Sequence, residues 1–501
     1  MDSAGLTAHG LAIFLGLCTL YCVERLGNAE LSSIPTVGPR GYFSSYYGAV
    51  RFIGHAREMI QEGYEKFKGG VYKVPMVDRW VVVVTDPDSI DELRKKTEEE
   101  LSFDQATKDL LRVEYTFGNE VQLNPYHAMV VRNQLTRRLA DIFPAMHEEI
   151  VLAFNDVIPA QQNEWVAVTA YEAMMLITCR ASNRIFIGED LCREPELADI
   201  QANFALQVVM RATLMNFFPK ILHPIIGRLL TNAPSSLQRC MTLLGSVVEE
   251  RLRIFARDGP ESAEMPDDVI SWLIEVSKEE DRNARSVCLR ILILNFASLH
   301  TSSQTFTHAL YHLAVADPNT LTLLREEIQT VTDAEGWTKS AMSNLWRLDS
   351  FLKESQRVSG TSILPVVRKT MKTMTLSNGI VIPTHTHVAI ATIPIHRDEQ
   401  YYENADSFQP FRFVKSWPEG DEGSLSQQLV STSSCYMAFG HGQRACPGRF
   451  FASLIMKTMM AHLVLHYDVK VEDGIRPPDQ WMMMNCSPNR TAKVLFRKRQ
   501  A

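Results

Sequence analysis

The sequence predicts a mainly α-helical body with a small β subdomain, held to a membrane by an N-terminal transmembrane helix. Three observations carry this expectation. Residues 125 to 350 follow a helical pattern with few breaks, and short β-branched runs gather before residue 90 and after residue 365. Residues 4 to 23, "AGLTAHGLAIFLGLCTLYCV", supply about the twenty apolar positions that cross a bilayer.

The anchor, residues 1–24, opens Met-Asp-Ser and lacks the basic start of a cleaved signal peptide. Asp2 precedes the span and Arg25 and Arg40 follow it, so the positive-inside bias places the body in the cytosol. Residues 25–42, with "IPTVGPRG", read as a stiff Pro/Gly hinge, and 43–501 as a single domain. "VYKVPMVDRWVVVVTDPDSI", from Val71, reads as a hairpin and then a helix starting at Asp88. Helices should break at Pro159, Pro219, Pro224, 232–236 and the solvated loop 258–268. Residues 286–316 form one long helix. Three strand runs follow, "LPVVRKT", "MTLSNGIVIP" and "THVAIATIPI", with Asn378-Gly379 marking a tight hairpin. The apolar segment 205–230, split by two prolines, fits core helices or a greasy surface lying on a bilayer.

Composition narrows the function. A net charge of −7 speaks against nucleic acid as the partner. Nine cysteines, odd in number and without a C-x-x-C, point to a reducing compartment. "HRD" at 396–398 mimics a kinase catalytic loop, but no glycine-rich nucleotide loop accompanies it.

The chemistry gathers in "FGHGQRACPG", 439–448. Cys446 precedes Pro447 and an apolar helical run, which sets the sulfur at a helix N-terminus, where the dipole and free N–H groups favour thiolate. Gly440, Gly442 and Gly448 remove side chains, so the backbone can approach a flat ligand, and Arg444 can meet an anion at its rim. A thiolate on haem iron pushes electron density that favours O–O cleavage. Two other readings stand beside it: a buried cysteine next to a turn, and a zinc ligand paired with His441.

Phe439-x-x-Gly442-x-Arg444-x-Cys446-x-Gly448 resembles the haem-binding signature of the cytochrome P450 family, and "GRFFA" resembles its fungal members. The resemblance covers essentially the whole chain and implies a triangular helical prism around a buried haem b. Cys446 is then the iron ligand, with Phe439, Gly440 and Gly448 of its loop also binding the cofactor. Glu354 and Arg357 of "KESQR" match the family's E-x-x-R, and Arg412 of "FQPFRF" its third partner, a buried triad bracing the cysteine loop. Residues 297–302, "ASLHTS", resemble the oxygen-binding helix, with Ala297 beside the haem. Thr301, able to bond back to the Ala297 carbonyl and so open the helix, becomes the candidate for positioning protons. The family's usual acid is replaced by His300, a second candidate for proton relay. Arg444 and Arg368, then His127 and Arg132, are the candidate propionate partners, although the usual Trp-x-x-x-Arg spacing is absent. Arg137 and Arg138 read as part of a basic landing surface.

The implied protein is a monomeric endoplasmic-reticulum monooxygenase using dioxygen, with electrons from an NADPH–cytochrome P450 reductase. Leu294, Ala297, 363–367 and Met484 would line a site for an apolar small molecule, a terpenoid or steroid-like metabolite such as a diterpenoid, triterpenoid, indole diterpene or meroterpenoid. The alternatives are a reductase-independent isomerase, dehydratase or peroxygenase on the same fold, and a non-catalytic membrane protein that binds haem or lipid.

Overall fold

The structure is a computed structural model that describes residues 31–39, 44–230, 233–414 and 428–500. The anchor segment 4–23 lies outside the described residues. Among those described, no helix is long and apolar enough to cross a membrane.

Seven helices position the rest: α1 (Ser44–Lys66), α2 (Leu139–Val157), α3 (Ala170–Phe186), α4 (Pro195–Met215), α5 (Ala284–Ala314), α6 (Trp346–Val358) and α7 (Arg449–His466). α5 is 31 residues long, and Asn283 caps it by accepting the Ser286 N–H. Most of its side chains are buried, and it packs against α3, α4, α6 and α7 in one large apolar core. Such a helix is apolar nearly all round because helices surround it.

A second core lies under a five-stranded sheet: β1 (Val71–Pro75), β2 (Trp80–Val84), β3 (Leu101–Ser102), β4 (Val367–Thr370) and β5 (His387–Ile390), in the order β1-β2-β5-β4-β3. The β1–β2 hairpin expected from Val71 is present, and its helix begins at Pro87, where Asp86 accepts the Asp88 and Ser89 N–H groups. The Asn378-Gly379 hairpin is also present, joining Met374–Thr375 to Val381–Ile382, with Gly379 at φ +80°. The run "THVAIATIPI" divides instead of forming one strand: β5 ends at Ile390, and Thr392–His396 is a helical turn. A short apolar run fits either state, so burial decided. Ile34 and Val37 of the Pro/Gly segment are buried, and Pro35 and Val37 hydrogen-bond to Lys73 of β1.

The segment 205–230 is partly core and partly exposed apolar surface. α4 buries Phe204, Val208, Ala212 and Met215, while Met210, Leu214, Phe217, Ile221, Ile225 and Leu229 stay exposed.

Candidate functional site

The cysteine loop is built by short backbone hydrogen bonds. Cys446 N–H donates to the Phe439 carbonyl at 2.8 Å, Gly440 N–H to Met437 at 2.9 Å, and Ala445 N–H to Gly442 at 3.0 Å. The loop then enters α7, whose N-cap is Gly448. Cys446 is the one exposed cysteine among the described residues. Protein still crowds its sulfur, so burial raises the thiol, against the Gly448 and Arg449 N–H groups and the Arg449 guanidinium. The helix end thus acts in the expected direction, but desolvation outweighs it. A bound metal cation reverses that balance by deprotonating the thiol outright.

The glycines have different reasons. Gly442, at φ +76°, faces another helix: a Cβ there would lie 2.6 Å from Arg94 Cβ and 2.9 Å from the Arg94 carbonyl. Gly440 sits at φ +72°, which the turn requires. Gly448 is at φ −85°; its Cβ would meet Val131 Cγ1 at 3.7 Å and Cys446 Sγ at 4.0 Å, on the sulfur's own side. His441 is no partner for the sulfur. Its Nδ1 meets Thr432 Oγ1 at 3.1 Å and its Nε2 faces Asp91 at 3.5 Å.

Glu354, Arg357 and Arg412 come together as the resemblance implied. Glu354 accepts from Arg357 Nε and Nη2, from Arg412 Nε at 3.0 and 3.1 Å, and from the Gln409 N–H at 2.9 Å. This knot reaches the cysteine loop by three routes. Arg357 donates to the His396 carbonyl, and His396 Nε2 accepts the Met437 N–H at 3.0 Å. Tyr436 donates to Gln356 Oε1 at 2.9 Å, and Tyr402, under the Arg357 guanidinium, donates to the Cys435 carbonyl at 2.9 Å. The "HRD" residues are therefore structural: Arg397 pairs with Asp406, and Asp398 with Lys68 and Tyr64.

On α5, Ala297 and Thr301 are exposed in the middle of an otherwise buried helix. One turn apart, they share a face that borders open space. Thr301 Oγ1 donates to the Ala297 carbonyl at 2.8 Å, as its sequence predicts, yet the helix runs through unbroken. The room lies beside the helix, not in a widened turn. His300 points elsewhere. Its Nδ1 meets Tyr171 OH at 3.1 Å and its Nε2 meets the Ala202 carbonyl at 3.1 Å, so both nitrogens are taken up by α3 and α4. Burial holds it below its ordinary pKa. The relay expected of His300 loses its geometry here, because its neighbours on α5 face the open space and it does not.

The cationic candidates form two groups. Arg444 lies 2.8 Å from Glu98, an ion pair without hydrogen-bond alignment, and Arg368 donates to the Val367 and Arg444 carbonyls at 2.8 and 3.4 Å. Burial pulls the Arg368 guanidinium down to about 10, only partly offset by Glu98. Arg132 is exposed on a π-helical turn, Val131–Leu135, and faces Arg449. His127 is pushed down to about 3, first by burial and then by Arg290, and its buried Nδ1 has no hydrogen-bond partner. Arg138 is tied to Asp267 and lies over Trp272, while Arg137 and Arg132 are exposed and form no ion pair among the described residues.

Met484 accepts the Ile363 N–H at 2.8 Å, which brings two of the expected lining segments together. Sequence reasoning missed Arg449, which donates to the Cys446 carbonyl at 2.9 Å, and an aromatic cluster of Phe117 against Phe296 and Phe204 at 5.1 and 5.8 Å. Arg449 stood in plain view beside the motif. The aromatic cluster joins residues far apart in the chain, and only the fold reveals it.

An exposed sulfur at the mouth of α7, an exposed Ala/Thr face on α5 and under-compensated guanidinium groups fit a flat dianionic macrocycle with a metal at its centre. The chain belongs to the cytochrome P450 family: the family model described as Cytochrome P450 matches residues 39–496. It is similar to monooxygenases over nearly its full length. Cytochrome P450 monooxygenase 71 of Postia placenta is 42% identical, covering 97% of each chain. Cytochrome P450 monooxygenase CYP512U6 of Ganoderma lucidum is 33% identical over 96% of this chain and 94% of its own. Ent-kaurene oxidase of Gibberella intermedia is 32% identical over 96% and 91%. The family's enzymes are haem-iron monooxygenases that draw on dioxygen and a redox partner.

Proposed function

We propose that this chain is a membrane-bound haem b monooxygenase that oxidises an apolar, terpenoid or steroid-like molecule. The observation that carries it is that Cys446, at the start of α7, and Ala297 and Thr301, on α5, are exposed on two helices that pack together. The haem, when bound, supplies oxygen activation at iron. Cys446 Sγ would be its protein ligand, and the Gly448 and Arg449 N–H groups beside the sulfur would favour its negative charge. Arg444 and Arg368 would hold a propionate, in competition with Glu98, with Arg132 and His127 as the further candidates for that role. The Glu354–Arg357–Arg412 knot acts on the loop through Tyr436, Tyr402 and His396, so its part is structural.

Thr301 keeps its hydroxyl on the Ala297 carbonyl, which leaves the oxygen lone pairs free to accept from water or substrate-side groups. It is the residue that holds a proton donor in place. His300 fixes α5 against α3 and α4. Residues 1–24 serve as the anchor and 43–501 as one catalytic domain, held to the endoplasmic reticulum with the exposed apolar face of 210–229 toward the bilayer. The name of the Gibberella intermedia relative, an ent-kaurene oxidase, supports a terpenoid substrate.

The test is reconstitution of the full-length protein in membranes with an NADPH-dependent reductase and a panel of diterpenes, triterpenes and steroids. Dioxygen- and NADPH-dependent hydroxylated product is expected. Turnover of the same panel without reductase would place the chain among the peroxide-using or rearranging enzymes.

A further inference from the structure

Arg290 lies seven residues before Ala297 on α5, hence on the same face and about 10 Å along the axis. It is fully buried, and no carboxylate among the described residues forms an ion pair with it. Its Nη2 donates to the Glu120 and Asn124 carbonyls, both at 3.0 Å. Its Nε and Nη1 are buried without hydrogen-bond partners. The guanidinium lies over the Tyr126 ring at 4.8 Å. Asp281 and Glu120 are the acids nearest in its field, but Asp281 accepts from Asn124 Nδ2 and Glu120 pairs with Arg285. His127 faces the same cation with its own Nδ1 unpartnered.

A buried cation without an anion is costly to a fold, and so are buried donors without acceptors. Clipping two carbonyls needs only one of this side chain's nitrogens. The two remaining donors, Nε and Nη1, lie on opposite edges of the guanidinium, and each can give one charge-assisted hydrogen bond to an anion such as a carboxylate.

We propose that Arg290 is a carboxylate-binding site. The carboxylate comes either from the substrate, an apolar skeleton bearing one acid whose far end lies at Thr301, or from the haem. The first source rests on the monooxygenase reading for what happens at Thr301, while the binding itself does not.

The test uses full-length, haem-loaded protein and two arms. In the first, equilibrium dialysis compares abietic acid with its methyl ester, a tricyclic acid and its neutral twin. The acid should bind at least tenfold tighter, with the preference kept by Arg290→Lys and lost in Arg290→Gln. In the second, transfer of haem to apomyoglobin is compared for haem and its dimethyl ester. A propionate source predicts that wild type releases haem at least tenfold more slowly than the ester, and that Arg290→Gln removes the difference. Either pattern supports the site and names its source. Equal binding of acid and ester by wild type, together with an esterification effect unchanged in Arg290→Gln, overturns it and leaves Arg290 a clip for residues 120–124. A chain that held no haem would fail the monooxygenase reading, and the dialysis arm would still report on Arg290.

Discussion

Arg357 meets Glu354 through two hydrogen bonds, Nε to Oε2 at 2.7 Å and Nη2 to Oε1 at 2.8 Å, with both side chains fully buried. They are three residues apart on α6, a spacing that on most helices gives an exposed pair worth tenths of a kcal/mol. Here Arg412 and the Gln409 N–H complete the carboxylate's shell, and the pair becomes a buried knot. Glu354→Gln keeps the shape and removes the charge, which leaves two guanidinium groups around a neutral amide. The expected cost is about 3–5 kcal/mol, a large part of a domain's stability. Denaturant melts of the purified protein check it, and a change below about 1 kcal/mol would contradict it.

Gly442 and Gly448 should respond differently to the same added methyl. Gly442→Ala places a Cβ against the Arg94 backbone at a left-handed φ, so a loss of about 1–3 kcal/mol is expected. Gly448→Ala meets ordinary contact distances at a normal φ, so the fold should stand, while the new methyl crowds the sulfur's side. Melting temperatures and haem content of the two variants separate these effects.

Thr301→Ala should uncouple the enzyme: reductant consumption continues, peroxide release rises several-fold, and product falls. Thr301→Ser should restore most of the coupling. His300→Gln should leave coupling within about twofold of wild type, since both ring nitrogens are committed to Tyr171 and Ala202. A His300 variant as uncoupled as Thr301→Ala would reinstate the histidine as a relay.

Two buried histidines make stability depend on mild acid. Burial holds His396 and His462 down to about 3 each, against about 6.5 in an unfolded chain. Between those values the unfolded chain binds the extra protons, so stability rises with pH across that window. It is complete above about pH 6.5 and falls below it by up to about 1.4 kcal/mol per pH unit for each histidine. Urea midpoints should drop between pH 6.5 and pH 5, before most carboxylates titrate, and a flat profile there would contradict the account.

Much of this architecture was legible in the residues. Cys446 among glycines, the Glu354–Arg357 spacing and the Asn378-Gly379 turn depend on backbone geometry over a few positions, which sequence displays. What was hidden depends on which element packs where. His300 and Thr301 are neighbours in the chain, yet α3 and α4 draw one away while the other faces open space. Gly442 reads as room for a ligand until Arg94 is found against it. Arg290 looks like any helical arginine, and its burial follows only from the 120–126 segment closing over it. The anchor read from residues 4–23 lies outside the described residues.

The central claim is that the Cys446 sulfur ligates haem iron. The most direct measurement is the carbon monoxide difference spectrum of reduced membranes holding the full-length protein, beside Cys446→Ser. The account predicts the strongly red-shifted Soret band of a thiolate-ligated ferrous–CO haem in the wild type and its loss in the variant. An unshifted haem band in the wild type, or the same red-shifted band in Cys446→Ser, would contradict it.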